Sequence, residues 1–411
     1  LSTSLCDAVC FSSAETDNRS EGEVSSTGTG DNSRAILEML ERANLFIVSL
    51  DDERRWYRYH HLFADLLLQR LHQTEPEQLP ILHSRASEWY EQSGLVDEAI
   101  EHALQAEDFE RAAYLIVKHA DALWGRGEHT KFRRWLTKLP IKLALSKPHL
   151  CIYHAWYSFI NGQQDAAEKS LQAVEQALDS GSKAQEDGTL TGSDRMRLKG
   201  RIAAVRAFMV SHRGDVPGII QHASRALEYL PEQDRTWRSL SAIALGDAHG
   251  FKGNMTAAYE ARFEALKACK AAGDIYYVLL ASVKLAITLR AQGQLQRTIE
   301  ICQEQIQLAS ENRLSQTSLV GLFLMIWSEV LTELNVLDGA IDRANEGTEL
   351  VERAMDMALL GWGYMCLARI LFSRGEFAGI KEDIDKIENI SREYNVPTWI
   401  TDQMAAWQVR V

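Results

Sequence analysis

Seven residues between positions 156 and 369 combine flat aromatic rings with charged groups. Six of them directly follow an alanine, a glycine or a serine, and five of these six stand at one repeated point of the sequence. Aromatic rings cover the apolar faces of sugar-like molecules, and charged groups exchange hydrogen bonds with hydroxyls, so the mixture suits a polar, hydroxyl-rich small molecule. The candidate ligand-binding residues are Trp156, Phe208, Asp247, Arg290, Glu329, Trp362 and Arg369.

Large aromatics exposed together on a protein surface often mark a contact, and we expect these rings to be exposed on an inner face. The alternative is that the rings fill gaps between helices and that the charges are solvated. Two groups of histidine and aspartate are the remaining candidates for chemistry, but neither has a nucleophile at a recognisable spacing. These groups are His60, His61 and Asp65, and His119, Asp121 and His129.

Composition sets limits on the function. The 411 residues exceed one ordinary core, which predicts several domains or a repeat array. A formal charge of -13 argues against a dedicated nucleic-acid surface in this chain. The longest apolar run, Leu319–Trp327, is too short to cross a membrane. Among six scattered cysteines only Cys6 and Cys10 are close, without metal-ligand spacing, so we expect no metal and a reducing cytoplasm. Since no catalytic constellation is found, we also expect that the chain is not an enzyme.

A repeated helical hairpin is the element that would position the candidate residues. Between Ser239 and Asp274, two amphipathic helices meet at a turn at Gly253, with small residues where the helices must touch. The pattern recurs with a period of about 40 residues, which predicts an all-α solenoid of tetratricopeptide-like hairpins. An ordinary helical bundle with chance spacing is the alternative. The turn residues are Gly94, Gly127, Gly162, Gly214, Gly253, Gly293, Asn335 and Gly375.

A small residue stands seven positions before every one of these turns. Because the first helices of successive hairpins line the inner face of a solenoid, the residue after each small residue is expected to point inward. Gly246, Ala258 and Ala265 are the small residues expected to form a close helix–helix contact in the central hairpin. The eight small residues are Ser87, Ala120, Ala155, Ala207, Gly246, Ala286, Ser328 and Ala368.

The first part of the chain has a different pattern. Residues 1–11 predict a short helix, and 12–33 have the composition of a mobile loop, or alternatively of an acidic interaction tail. A helix at 35–43, capped by Asp31 or Ser33, precedes strand-like residues 45–50 and 56–59. A helical period begins at His60. Helix, two-stranded wing and helix is the order of a winged-helix unit. Farther along, 180–194 predict an inserted mobile loop.

The stretch LERANLFIVSLDDERRWYRYHHLFADLLLQRL, residues 40–71, closely resembles the segment that follows the ATPase core in large ATP-binding LuxR-type transcription activators, the MalT-like regulators. The repeats that follow, including HSRASEWYEQSGLVDEAIEHALQAEDFERAAYLI at 83–116, are similar to those of the same family. In that family an ATPase module precedes the winged helix, a tetratricopeptide-like sensor follows it, and a helix-turn-helix domain ends the chain. No GxxxxGK[ST] loop occurs here, the first residue is Leu1, and the chain stops within a helical pattern, so we expect a fragment.

The resemblance implies roles for the parts of the chain. His60 resembles the histidine that contacts the phosphate of bound ADP in related signalling ATPases, so ATP or ADP is expected in the intact protein and no cofactor in this fragment. The alternative is that His60 merely ends the wing. The expected divisions are a winged-helix unit at 1–73, a short helical-repeat module at 74–147, and a long-period sensor domain at 148–411.

The expected function is signal sensing: a small-molecule inducer binds the concave face of the repeats, and its occupancy is relayed to the nucleotide module. The alternative is a protein-interaction scaffold whose repeats bind a peptide or regulatory protein. The resemblance further implies self-association on activation, DNA contact only through a C-terminal domain absent here, and no membrane contact.

Overall fold

The structure, a computed structural model, describes residues 2–10, 30–53, 55–125, 128–179 and 191–410. It divides the chain into two compact units. Unit 1 comprises Leu1–Ala120 and Arg134–Leu143, and unit 2 comprises Asp121–Arg133 and Ala144–Val411. Most of the two expected mobile loops, 12–33 and 180–194, lies outside the described residues, and their mobility stays a prediction, as does the division of the chain into three parts.

Unit 1 begins with short elements around a small two-stranded sheet. Strand β1 pairs antiparallel with β2, with Ile47 opposite Tyr59, and an isolated bridge joins Ser2 to Trp56. Leu37, Ile47 and Tyr57 form the buried centre of this region. Its elements are α1 (Thr3–Cys10), α2 (Gly30–Arg42), β1 (Ile47–Ser49), β2 (Tyr57–Tyr59), α3 (His61–Thr74), α4 (Gln78–Gln92) and α5 (Val96–Gln105).

The predicted winged-helix order of helix, two strands and helix is confirmed. The predicted start of the first helix is wrong: α2 begins at Gly30, so positions 31 and 33 lie inside the helix and not at its N-cap. The turn between the strands is held by the Asp51 carboxylate, whose Oδ1 accepts hydrogen bonds from the backbone N–H groups of Arg55 and Trp56. This is the usual way in which an aspartate side chain replaces backbone hydrogen bonds in a tight turn.

Helix α3 buries none of its residues in unit 1. Leu62 and Leu66, which are spaced to lie on one face, are 65% and 58% exposed. An apolar helix face normally packs against another element. In the described part of the chain, the apolar face of α3 is therefore exposed.

Unit 2 is built from consecutive helical hairpins. Three helices, α6 (Phe109–Gly125), α7 (His129–Lys138) and α8 (Ile141–Ser146), contain residues assigned to both units. The helices that follow belong to unit 2 alone. They are α9 (Pro148–Ile160), α10 (Gln164–Asp179), α11 (Gly192–Ser211), α12 (Val216–Tyr229), α13 (Arg235–Phe251), α14 (Met255–Ala272), α15 (Ile275–Ala291), α16 (Leu295–Glu311), α17 (Ser318–Glu333), α18 (Leu337–Arg353), α19 (Met357–Arg374), α20 (Phe377–Glu393) and α21 (Thr398–Gln408).

Seven of the eight predicted turns are confirmed as left-handed positions between paired helices. Six are glycines with φ between +65° and +75°, and Asn335 has φ +59°. Glycine adopts this conformation without the steric penalty of a Cβ atom, and asparagine tolerates it better than most residues. The eighth predicted turn, Gly127, lies outside the described residues. The turns between the two helices of these hairpins therefore lie where the sequence predicts them.

The small residues seven positions before the turns are all buried. Ala207, Ala286 and Ala368 have no exposed surface, as expected where one helix crosses another closely. The boundary predicted after the insertion is wrong. Helix α11 begins at Gly192, and its capping box places Asp194 in the first turn, because the Thr191 hydroxyl and the Asp194 carboxylate satisfy each other's backbone N–H groups.

The described part of the chain contains no sheet beyond β1 and β2, so the all-α fold class, with tetratricopeptide-like hairpins after a winged-helix unit, is confirmed. Among the same residues, none of the helices combines the length and the apolar character that a membrane span requires.

Candidate ligand-binding site

Unit 2 encloses a cavity of about 320 Å³. Its walls come from the first helix of each hairpin, α9, α11, α13, α15, α17 and α19, and from α21, with two side chains contributed by α14. The period of the repeat explains this arrangement, since equivalent faces of successive first helices point to one side of the array.

Six of the seven predicted ligand-binding residues line this cavity. Trp156, Phe208, Asp247, Arg290, Glu329 and Trp362 come from six different helices, and the fold brings them to one place. The seventh, Arg369, does not line the cavity, but its Nη1 lies 2.6 Å from Oε1 of Glu329. Whether these residues bind a ligand stays a prediction.

The expectation that the aromatic rings are exposed is wrong. Trp156, Phe208 and Trp362 are 2%, 6% and 4% exposed. The inward curvature of the array explains this burial, because rings on successive first helices meet one another: the Trp156 and Phe208 rings are 5.3 Å apart. Part of the sequence mixture therefore serves packing. Trp156 can still donate a hydrogen bond, because its Nε1–H has no acceptor in the described structure.

The Asp247 cluster forms one charged part of the wall. Its two carboxylate oxygens accept from Arg262 Nη2 at 2.6 Å and from Lys284 Nζ at 2.8 Å. Burial opposes the charged form of Asp247, but Lys284 and Arg262 outweigh this effect and hold its pKa below the ordinary value. Lys284 also lies 5.4 Å from the centre of the Phe208 ring, which places a cation against an aromatic face.

Arg262 reaches the cavity from a second helix, and Gly246 is the reason that it can. A Cβ atom added at Gly246 would lie 2.6 Å from Cγ of Arg262. The side chain thus passes across α13 and hydrogen-bonds Asp247, the hydroxyl of Thr288 and the carbonyl of Lys284. The small residue at 246 was expected to allow two helices to touch; it allows an arginine to pass between them.

The Glu329 cluster is the second charged part of the wall. Glu329 lies between Arg369, at 2.6 Å, and Arg290, at 3.1 Å, and Arg290 also contacts Glu333 at 2.8 Å. Burial disfavours the charged form of Arg290, but the two glutamates outweigh it and raise its pKa. The Arg369 side chain is 37% exposed, so this cluster is partly solvated.

Asp356 is a cavity residue that the sequence reasoning missed. It precedes the first residue of α19, is 7% exposed and makes no ion pair within the described residues. Burial raises its pKa to about 7, although the Ser318 hydroxyl and the Leu359 backbone N–H favour the charged form. A signal was present, because Asp234 and Asp274 stand at the same place before α13 and α15.

His212 also lines the cavity, and its imidazole contacts the Phe208 carbonyl at 3.2 Å. Burial and then the neighbouring Lys284 lower the pKa of this histidine to about 4. It is therefore neutral at physiological pH, which leaves Lys284, Arg262 and Arg290 as the positive charges of the wall.

His60, the predicted nucleotide-contacting residue, lies in unit 1 and is exposed. It is the N-cap residue of α3, its side chain makes no capping hydrogen bond, and its ring stacks on His61 at 4.5 Å. An exposed imidazole beside an uncapped helix N-terminus is chemically suited to donate to a phosphate oxygen. The phosphate role itself stays a prediction.

A winged helix followed in the chain by tetratricopeptide-like hairpins with an inner cavity defines a class of helical-repeat proteins. The comparison with known families is more specific: the MalT-like TPR region matches residues 200–411, and the MalT winged helix domain matches residues 1–79. The chain therefore belongs to the MalT-like family.

Individual relatives agree with this assignment. The HTH-type transcriptional regulator MalT of Yersinia pestis (strain Pestoides F) is 28% identical over 392 residues, which are 92% of this chain and 41% of the relative. The same regulator of Yersinia enterocolitica serotype O:8 / biotype 1B has the same identity and coverage. The chain thus spans about two fifths of the length of the curated relatives that it matches.

One solved structure supports the fold. A Rap protein complexed with Competence and Sporulation Factor has a TM-score of 0.55 at 11% identity, covering 80% of this chain and 98% of that one. A Signal Transduction ATPase with Numerous Domains with a tetratricopeptide repeat sensor, from Pyrococcus horikoshii, covers 90% of this chain and 65% of its own, with 12% identity and a TM-score of 0.47.

Proposed function

We propose that this chain is the signal-sensing portion of an ATP-dependent LuxR-type transcription activator and that its cavity binds a small-molecule inducer. One observation carries the proposal: six residues selected from the sequence for ligand chemistry line a single cavity in the fold. A volume of about 320 Å³ lies at the lower end of the range for small-molecule sites, which fits a compact ligand.

The lining supports a polar ligand with apolar faces. Trp156, Phe208 and Trp362 provide flat surfaces, and Asp247, Arg290 and Glu329 provide charged hydrogen-bonding groups held in place by ion pairs. Such fixed groups bind a ligand without losing much side-chain freedom, because the neighbouring ions already restrict them. The unpartnered Nε1 of Trp156 would gain an acceptor from a ligand hydroxyl.

Relay of the signal follows from where the ligand contacts lie. A ligand that touches α9, α15 and α19 together stabilises only those arrangements in which these helices keep their present spacing. Its differential affinity for the resting and active arrangements is what would shift the protein between them. In the intact protein, which we propose to be cytoplasmic, this shift would reach the nucleotide module, promote self-association and act on DNA through a C-terminal domain.

A peptide or regulatory protein as the ligand is the second candidate. It is favoured by the likeness in fold to a Rap protein that was solved with Competence and Sporulation Factor. The small volume of the cavity favours the inducer instead. A peptide would contact several successive hairpins, whereas a small molecule would protect one compact region.

The test begins with thermal unfolding of the chain in the presence of neutral oligosaccharides, polyols and short peptides, because a bound ligand stabilises the folded state. Calorimetry with any stabilising compound then compares Trp156→Ala and Arg290→Ala with wild type. Each substitution removes a cavity contact, and we expect affinity to fall about tenfold or more.

Two control variants have similar chemistry away from the cavity. Trp327→Ala removes a tryptophan of α17 that faces Arg343, and Arg206→Ala removes an arginine held by Glu168 and Glu175. Both are expected to bind as wild type. Equal affinity of Trp156→Ala, Arg290→Ala and wild type would place the ligand elsewhere and leave the cavity residues with a packing role.

For the nucleotide, we propose that His60 donates a hydrogen bond to a phosphate of ADP in the intact regulator. The nucleotide supplies the charge that this imidazole would recognise, and the exposed position of His60 leaves it accessible. His60→Ala is expected to weaken ADP retention by on the order of 1.5–3 kcal/mol, with the neighbouring His61→Ala as the control. Filter-binding with labelled ADP measures both; unchanged retention in His60→Ala would contradict the role.

A further inference from the structure

The segment Tyr394–Gln403, here called the closing segment, joins two distant parts of unit 2. The backbone N–H of Asn395 donates to the carbonyl of Gly162 at 2.8 Å, in the turn between α9 and α10. The backbone N–H of Thr398 donates to the carbonyl of His212 at 3.0 Å, at the end of α11. The array of hairpins is therefore closed on itself by two backbone hydrogen bonds.

The same segment forms a wall of the cavity. Trp399 and Gln403 line it from α21. The Trp399 ring meets the ring of Trp362 edge-to-face at 5.1 Å. An aromatic ring and an amide are groups that recognise a polar ligand, and neither residue was selected from the sequence.

Helix α21 has a second, independent set of contacts with its neighbour α19. Ile400 is fully buried near Gly361, and the Trp407 ring packs on Phe372 at 5.0 Å. These contacts do not involve α9 or α11. The hydrogen bonds to Gly162 and His212 can thus break while α21 stays attached to α19, which makes the closing contact separable from the fold of the last hairpin.

We propose that the closing segment completes the ligand site through Trp399 and Gln403 and controls access to the cavity by docking on the ends of α9 and α11. The ligand part of this inference rests on the proposed function. A ligand that contacts Trp399 or Gln403 together with the opposite helices gains those contacts only in the docked state, so ligand and docking stabilise each other. The docking part is a property of the chain alone and is tested without a ligand.

Gly162 offers a sharp way to disturb docking. Its φ is +75°, and a Cβ atom there would lie 2.6 Å from Cβ of Tyr394. Gly253 has the same φ of +75° at the equivalent turn, but an added Cβ would meet nothing within 4 Å. Gly162→Ala and Gly253→Ala therefore share the same backbone strain, and only Gly162→Ala pushes the closing segment away.

Thr398→Pro provides a second variant. Thr398 is the first residue of α21, where proline is tolerated, so the substitution removes the N–H that bonds His212 and leaves the helix able to form. Circular dichroism checks that all variants keep their helical content. Two variants that act on different atoms keep the test informative if one of them folds poorly.

Access to the cavity is measured by labelling with N-ethylmaleimide. Val283 lines the cavity and is 2% exposed, and cysteine is a small apolar replacement for it, so Val283→Cys introduces a thiol that reacts only when the reagent enters. Peptide mass spectrometry separates this thiol from the natural cysteines. Hydrogen exchange of the amides of Asn395 and Thr398 reports docking in the same samples.

We expect labelling at position 283 to rise at least about tenfold in the Gly162→Ala and Thr398→Pro backgrounds, together with loss of protection at Asn395 and Thr398. Gly253→Ala should label and exchange as wild type. Equal labelling rates in all four backgrounds, or protection that survives both substitutions, would overturn the proposal. Neither of these results depends on whether the cavity binds an inducer, so failure here is distinct from failure of the proposed function.

Discussion

Two buried carboxylates in the same cavity are held in opposite ways. Asp247 lies between two cations, Arg262 and Lys284, whereas Asp356 makes no ion pair within the described residues. The pKa of Asp247 is held below its ordinary value, and that of Asp356 is raised to about 7. Similar burial thus gives a permanent anion at one place and a group that titrates near neutrality at the other.

The difference shows that the charge of a buried carboxylate is set by its partners more than by its depth. Burial disfavours the charged form of both groups, and only a nearby cation reverses the effect. Asp247 is therefore a fixed structural anion, while Asp356 is a weakly held acid that a ligand or a change of pH can alter. The contrast is tested by changing paired and unpaired carboxylates separately.

The largest effect is expected for Asp247→Ala. It leaves Arg262, whose side chain is 7% exposed, as a buried cation without a carboxylate, and we expect unfolding to become easier by about 3–5 kcal/mol. Urea unfolding followed by tryptophan fluorescence measures the change. The double variant Asp247→Ala with Arg262→Met should recover most of the loss, because an apolar side chain leaves no buried charge; no recovery would show that the ion pair is not the cause.

Gly246→Leu disturbs the same cluster by steric crowding and leaves its charges unchanged. The added side chain would occupy the path of Arg262 across α13, and we expect a loss of about 1–3 kcal/mol. Gly339→Leu is a comparison at a less crowded glycine, where an added Cβ would lie 3.5 Å from its nearest neighbour. A denaturation midpoint equal to wild type for Gly246→Leu would mean that Arg262 does not need this path.

Glu329→Ala removes a carboxylate that is also paired with two cations, but in a cluster that is partly solvated. Arg290 keeps Glu333 as a partner, and the Arg369 side chain is already 37% exposed, so both cations have another means of compensation. The expected loss is about 1–2 kcal/mol, smaller than for Asp247→Ala. The same urea measurement on both variants gives the ranking, and a reversed ranking would contradict the role assigned to burial.

Asp356→Asn differs from the other variants because its effect depends on pH. The pKa of Asp356 is about 7 in the fold and near the ordinary 3.8 when unfolded, so its contribution is fully present below about pH 3.8 and is lost as the pH rises through about 7. The asparagine variant lacks this loss. Its stability relative to wild type should therefore increase from pH 4 to pH 8, by at most about 1.4 kcal/mol per pH unit.

The control is Asp342→Asn, which changes an exposed carboxylate of α18. Its stability relative to wild type should stay level across the same pH range. A flat profile for Asp356→Asn as well would mean that this carboxyl is already ionised in the fold at low pH, and the contrast with Asp247 would disappear.

The features of the fold that depend on a short stretch of residues could be predicted from the sequence. A glycine or asparagine at a hairpin turn follows from backbone conformation, so seven turns were found correctly, and the phase of the repeat brought six candidates to one cavity. Arg262 was missed because its position depends on Gly246 of another helix. The burial of Trp156 was missed because the inward curvature is set by the packing of many helices together, which no single stretch records.

Closure of unit 2 has a consequence for the order of folding. Most contacts of a hairpin array join neighbours in the chain, and such local contacts form quickly. The hydrogen bond from Thr398 to His212 joins residues 186 positions apart, so it must wait for every intervening hairpin. During synthesis from the N-terminus, the early hairpins fold on an open array. The cavity is thus completed late in translation, after Asn395 and Thr398 have left the ribosome.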